Sequence, residues 1–167
     1  MEEIDRMQSN LLLIRRAVGW TAEEFGERIG VTRQTINNIE AGRNKLNKTQ
    51  YIAMRSVLDA EIAQNEDETE MLCVLLDVFV DHPEKYQAED RKDLLAKANL
   101  MAPSILAGST TRKDVSKEWM SVAATIIGAA LVSGAGLLAA PLAGGAAAAW
   151  LAKVVSSTTK AKGTIKR

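Results

Sequence analysis

The chain has 167 residues, enough for one domain of ordinary size or two small ones, and its formal net charge is zero. That balance argues against a generally basic protein that wraps nucleic acid, but the charge is unevenly distributed. Residues 1–62 carry nine basic and nine acidic residues, residues 63–118 carry seven and twelve, and residues 119–167 carry five and none. The three segments therefore have different surroundings or different tasks.

The composition predicts an all-α fold. Aromatic residues make up 4% of the chain, proline is scarce, and no long stretch alternates polar and apolar residues at period two. The single cysteine, Cys73, lies in an apolar run, where a small buried side chain is expected. His82 is the only histidine and has no second histidine or cysteine nearby, so we expect no metal site. No glycine-rich phosphate loop or catalytic set is evident, so neither a cofactor nor an enzymatic activity is expected.

The predicted elements begin with four helices, at about 9–18, 21–29, 32–40 and 47–62. Thr21 and Glu24 have the spacing of a capping box at the start of the second helix. Gly30 ends that helix, because glycine adopts the left-handed conformation at little cost. In the third helix only Ile36 and Ile39 are apolar, so this helix is expected to bury one narrow edge.

The opposite face of the third helix displays Arg33, Gln34, Asn37 and Asn38. Two short helices joined by a glycine-containing turn, the second polar on its free face, are typical of a helix-turn-helix. Arginine, glutamine and asparagine can pair in a bidentate manner with guanine or adenine in the major groove. A polar helix face is by itself usually a solvated one, and it is the surrounding pattern that favours contact with bases.

Residues 21–42 closely resemble the Cro/CI-type (XRE) family of phage and bacterial regulators. The matching positions are Thr21, Phe25, Gly26, Ile29, Gly30, Val31, Thr32, Thr35, Ile36, Ile39, Glu40 and Gly42. The resemblance extends over about residues 9–58. It implies a lambda-repressor-like bundle of four or five helices that binds double-stranded DNA, with residues 32–40 as the recognition helix.

The resemblance also implies roles for individual residues. The positions implied to face bases are Arg33, Gln34 and Asn38, with Asn37 as a lesser candidate. Those implied to hold phosphates are Thr32, Arg43, Asn44 and Lys45. Arg15 and Glu40 occupy positions where the family often has a partly buried ion pair between the first and third helices. Three residues differ from the family's common residue type: Ala22 replaces a polar phosphate contact, Leu46 replaces proline, and Gly26, although its position matches, replaces the more common alanine.

The middle segment, residues 63–117, is predicted to be helical. Residues 63–70 form either a linker or the acidic first turn of the next helix, which covers 69–81 and stops at the sequence His82-Pro83. A further helix covers 88–107, where Pro103 could introduce a kink, and the polar stretch 108–113 is expected to be a second linker. The apolar surface of this segment serves either dimerisation or the core of its own chain.

The C-terminal segment, residues 118–156, is rich in alanine and glycine, and 34 residues from Trp119 to Ala152 carry no charge. We predict a hairpin of two helices, at about 118–132 and 137–155. The small residues expected at their contact are Gly128, Gly136, Ala140 and Gly144. Three alternatives stay open: a shallow membrane hairpin with Trp119 and Trp150 near one interface, a soluble oligomerisation hairpin, and a reversible contact with the membrane surface. Residues 157–167 form a basic tail.

Together these features predict a sequence-specific transcriptional regulator in the cytoplasm. We expect this regulator to be a repressor. Because a neutral domain neutralises few phosphates, we expect it to bind a palindromic operator as a homodimer or higher homo-oligomer. Residues 119–155 could tether it to the inner face of the cell membrane. The alternative is a membrane-active or phage-defence protein in which the helix-turn-helix is an autoregulatory or sensing module.

Overall fold

The computed structural model of the protein describes residues 2–132, with side chains up to residue 127. These residues form seven α-helices and no β-strand, which confirms the predicted all-α class. The helices are α1 (Glu3–Val18), α2 (Ala22–Ile29), α3 (Arg33–Glu40), α4 (Lys48–Gln64), α5 (Glu70–Leu76), α6 (Ala88–Leu106) and α7 (Arg112–Val132). A π-helical segment, Asp77–Asp81, continues α5, and 3₁₀ turns lie at Glu66–Glu68 and Pro83–Lys85.

The N-terminal core holds α1 to α4 together. Helix α1 supplies apolar side chains at a spacing of three and four residues, which places them on one face. The buried members of this core are Met7, Leu11, Ile14, Val18, Trp20, Phe25, Ile36, Ile39, Leu46, Met54, Leu58, Ile62, Leu72, Cys73, Leu76 and Val80. The last four come from α5 and its π-helical continuation, so residues on both sides of the predicted boundary at 62 pack together.

The second core lies between α6 and α7 and the other faces of α1 and α5. Helix α6 contributes Leu94, Ala98 and Ala102 at a spacing of four residues, and α7 contributes Val115, Trp119, Ala123 and Ile127 at the same spacing. Leu13 and Ala17 of α1 are also members. Every residue from 71 to 80 is buried, so the apolar side chains of this stretch pack within this chain, whereas Leu100 of α6 is 75% exposed.

Several predicted boundaries of helices were wrong. Helix α1 begins at Glu3 rather than at residue 9, because Met7 is fully buried and extends the packed face towards the N-terminus. The stretch 108–113 is not entirely a linker, because α7 already begins at Arg112. Pro103 lies inside α6.

Arg112 fixes the position of the first turn of α7. Its Nη1 donates to Glu61 at 2.5 Å and to the Val18 carbonyl at 3.2 Å, and its Nη2 donates to Glu68 at 2.8 Å. One guanidinium thus joins the first turn of α7 to the ends of α1 and α4. Glu68 belongs to the 3₁₀ turn that fills the polar stretch after α4.

The alternative of a membrane hairpin placed Trp119 near one interface, and the structure places this residue elsewhere. Its side chain is fully buried in the second core, because α7 turns the face that carries Trp119, Ala123 and Ile127 towards that core. Among the helices within residues 2–132, none combines the length and the hydropathy that crossing a bilayer requires. Gly128 belongs to α7. The rest of the predicted hairpin, with Gly136, Ala140, Gly144 and Trp150, lies outside the described residues.

Candidate nucleic-acid interface

Helices α2 and α3 are set by local signals at their ends. Thr21 and Glu24 form the predicted capping box, with Thr21 Oγ1 accepting from the Glu24 N–H at 3.1 Å and Glu24 Oε2 accepting from the Thr21 N–H at 2.7 Å. Gly30 ends α2 with φ +76°. Thr32 then caps α3, its Oγ1 accepting from the Thr35 N–H at 3.2 Å. The turn between the two helices is therefore only three residues long.

Gly26 allows this turn to pack closely against α2. The Val31 N–H donates to the Gly26 carbonyl at 2.9 Å. A Cβ atom added to Gly26 would lie 2.6 Å from the Val31 carbonyl oxygen, a backbone atom that cannot swing away. The departure from the family's usual alanine thus has a local steric reason in this chain.

Helix α3 is anchored along one edge and open along the other. Ile36 and Ile39 are at most 1% exposed, whereas Arg33 and Gln34 are exposed and Asn38 is half-buried. Asn37 is also half-buried. An amphipathic helix of this kind leaves hydrogen-bonding side chains on its accessible side, where they can meet base edges. Their assignment as base contacts stays a prediction.

The ion pair implied by the resemblance is present between α1 and α3. Arg15 Nε donates to Glu40 Oε1 at 2.6 Å and Arg15 Nη2 donates to Glu40 Oε2 at 3.0 Å, a bidentate contact. Both side chains are only 8% exposed. Arg15 Nη1 also donates to the Trp20 carbonyl at 2.9 Å. The last turn of the recognition helix is therefore fixed to α1.

A residue that sequence reasoning missed, Gln8, organises the loop after α3. Its Nε2 donates to the carbonyls of Ile39 at 2.9 Å and Asn44 at 2.8 Å, and its Oε1 accepts from the Leu46 N–H at 3.0 Å. Proline at position 46 would have no N–H to donate, so this contact accounts for the second departure from the family. No sequence signal identifies Gln8, because two of its partners are backbone carbonyls and the third is a backbone N–H.

The residues predicted to hold phosphates surround α3. Arg43, Asn44 and Lys45 are exposed in the loop that Gln8 holds, and Thr32 is exposed at the other end of the helix. The Arg43 guanidinium, however, donates to the side chain of Asn38, with 3.1 Å between Nη1 and Oδ1. Ala22, the third departure, packs against the N-terminal core.

Comparison with known proteins identifies one part of the chain. Residues 11–64, about a third of the sequence, match the family model described as helix-turn-helix. No curated protein and no solved structure matches the chain. Together with the capped α2–α3 turn, the match confirms the predicted resemblance of residues 11–64 to an XRE-type helix-turn-helix domain, and it supports a DNA-binding role for this part of the chain.

Proposed function

We propose that this protein is a sequence-specific transcriptional repressor that binds a palindromic operator as a homodimer and has no enzymatic activity. The observation that carries the proposal is the geometry of α3 within the matched domain. Ile36 and Ile39 hold one edge of the helix, and Arg33, Gln34 and Asn38 lie along the accessible part. These side chains are of the types that distinguish base pairs in the major groove.

Charge supports the dimer. The first 62 residues carry as many acidic as basic residues. Several of the cations are already engaged within the protein, since Arg15 pairs with Glu40 and Arg55 pairs with Asp81 at 3.0 Å. The exposed cations around α3 include Arg33, Lys45 and Lys48. One subunit would therefore neutralise only about three phosphates, which gives weak binding at physiological salt.

Selection of bound sequences from random DNA tests the proposal. A dimer predicts an enriched palindrome whose half-sites lie about 10 base pairs apart, or a multiple of that distance. A single enriched half-site would contradict the dimer, and no enriched sequence would contradict sequence-specific binding. A reporter promoter that overlaps the enriched site should be silenced by the protein, and activation would contradict the assignment as a repressor.

Salt dependence distinguishes one bound subunit from two. With about three phosphates neutralised per subunit, the logarithm of the affinity should fall with a slope of about −3 for one subunit and −5 for a dimer. Between 50 and 200 mM salt, this is a loss of about 40-fold against about 2,000-fold. Fluorescence anisotropy on the enriched duplex measures both values, and the Lys45→Ala variant should reduce the slope of a dimer by about two.

The proposed role places the protein in the cytoplasm, in contact with DNA. Tethering to the membrane through residues 119–155 would require the part of the chain after residue 132, which the structure does not describe. The first part of that segment, up to Ile127, packs in the second core through Trp119 and Ala123. Recovery of the full chain in the membrane fraction of lysed cells, reversed in a chain that ends at Val132, would support a tether.

A further inference from the structure

The outer part of α3 carries a hydrogen-bond network that centres on Asn38. Asn38 Oδ1 accepts from Gln34 Nε2 at 3.0 Å and from Arg43 Nη1 at 3.1 Å. Arginine has only donors, so the atom that faces it must be the amide oxygen rather than the amide nitrogen. The orientation of the Asn38 amide is thereby fixed, although asparagine amides are otherwise ambiguous.

The backbone holds Arg43 in this position. Gly42 has φ +70°, which turns the chain back on the end of α3. The N–H of Arg43 then donates to the Asn38 carbonyl at 2.9 Å, and the N–H of Asn44 donates to the same oxygen at 3.2 Å. Arg43 is thus tied to Asn38 twice, through the main chain and through the guanidinium.

We propose that Arg43 is a positioning residue that makes Asn38 a donor-only reader of guanine. This inference rests on the proposed sequence-specific binding. With its oxygen occupied by Gln34 and Arg43, the Asn38 amide offers DNA only its two N–H groups. Guanine presents two acceptors in the major groove, O6 and N7, whereas adenine presents one acceptor and one donor. A free asparagine pairs best with adenine, so the network reverses the preference expected from the residue type alone.

The same network leaves Gln34 able both to donate and to accept hydrogen bonds from DNA, unlike Asn38. One N–H of Nε2 is used by Asn38, while Oε1 and the second N–H have no hydrogen-bond partner in the part of the chain that the structure describes. That pair of groups matches N6 and N7 of adenine. The network therefore predicts an operator half-site with a guanine read by Asn38 and an adenine read by Gln34.

The substitutions Arg43→Ala and Asn38→Asp test the network. For each variant, selection from random DNA gives the preferred bases, and affinities are measured for the enriched duplex. The base read by Asn38 is the one whose preference Asn38→Ala abolishes. Arg43→Ala should reduce the guanine-over-adenine discrimination at that base from at least ~10-fold to ~3-fold or less, because the amide can then turn over. Lys45→Ala removes the same charge from the same loop and has no hydrogen bond to Asn38 among the described residues, so it should weaken all sequences alike.

Asn38→Asp tests the direction of the hydrogen bonds. A carboxylate can still accept from Gln34 and Arg43, but it presents an acceptor where asparagine presented donors. The preference at this base should change from guanine to cytosine, whose N4 amine is a donor. Asn37→Asp is the matched control for the added charge. Asn37 is itself a lesser candidate for base contact, so this control is evaluated only at the base assigned to Asn38, where the guanine preference should stay. Circular dichroism checks that each variant is folded.

The outcomes separate the network from the function on which it rests. If Arg43→Ala weakens all sequences uniformly, as Lys45→Ala does, Arg43 is only a phosphate contact and the inference is wrong. An unchanged guanine preference in Asn38→Asp would likewise overturn it, as would adenine at the base that Asn38 reads in the wild-type protein. No enriched sequence with the wild-type protein would instead contradict the proposed function itself.

Discussion

The buried ion pair between Arg15 and Glu40 gives the sharpest prediction for stability. Arg15→Met removes the cation and leaves the Glu40 carboxylate, 8% exposed, without its bidentate partner. Glu40→Leu leaves Arg15 with one hydrogen bond within residues 2–132, from Nη1 to the Trp20 carbonyl. Breaking a buried pair from one side typically costs about 3–5 kcal/mol, because an uncompensated charge stays behind. Each single variant should therefore lose about that much of its free energy of unfolding.

The double variant should lose less than either single one. Two apolar side chains of similar volume remove both charges together, which is often neutral or stabilising. Only the Trp20 carbonyl then loses its donor, at about 1–3 kcal/mol. The two single losses add to about 6–10 kcal/mol, so a loss of about 1–3 kcal/mol in the double variant corresponds to a coupling energy of at least about 3 kcal/mol.

Urea unfolding of the full chain, followed by circular dichroism at 222 nm, measures these free energies. Arg16→Met is the matched control on the same helix, since it removes a neighbouring cation that is less buried than Arg15, and it should cost less than about 1 kcal/mol. If the loss of unfolding free energy in the double variant equals the sum of the two single losses within about 0.5 kcal/mol, the pair contributes no mutual stabilisation and this reasoning is refuted.

Three further predictions concern other contacts. Gly26→Ala should destabilise the domain by about 1–3 kcal/mol in the same urea assay despite the better helix propensity of alanine, because Cβ meets the Val31 carbonyl; a stabilised variant would contradict this. Arg112→Met should cost about 1–3 kcal/mol, because Glu61 and the end of α1 lose a shared donor; an unchanged urea midpoint would contradict it. Burial raises the pKa of Cys73 to about 12, so only about one thiol in 10⁴ is ionised at pH 8. Ellman's reagent should therefore react with Cys73 only after unfolding, and rapid reaction of the native protein would show that the thiol is accessible.

The sequence was informative where structure depends on neighbours in the chain. The caps at Thr21 and Thr32 and the stop at Gly30 involve partners within four residues, so their pattern predicts α2 and α3 closely. The Arg15–Glu40 pair spans 25 residues and became predictable only through the family resemblance. The base contacts assigned on the same ground await a measurement on DNA.

Features that depend on packing between residues far apart in the sequence could not be predicted from it. Helix α1 extends back to Glu3 because Met7 enters the N-terminal core, and periodicity within residues 3–8 is too sparse to show this. Trp119 begins a long uncharged run, and hydropathy alone does not distinguish a face that meets lipid from one that meets α6. The contact of Arg43 with Asn38 depends on the turn at Gly42, which brings together residues that helical spacing keeps apart.

The sharing of α1 and α5 between two cores limits how this DNA-binding unit can be exchanged between proteins. A cassette cut at residues 11–64 would lose the buried Met7 on one side and Leu72, Leu76 and Val80 on the other. Its α1 would also expose Leu13, which is 6% exposed when the second core is in place. A DNA-binding segment that is transferred to another protein must therefore include all the helices from α1 to α7. Recombination within residues 65–111 would separate α1 from the helices that cover it.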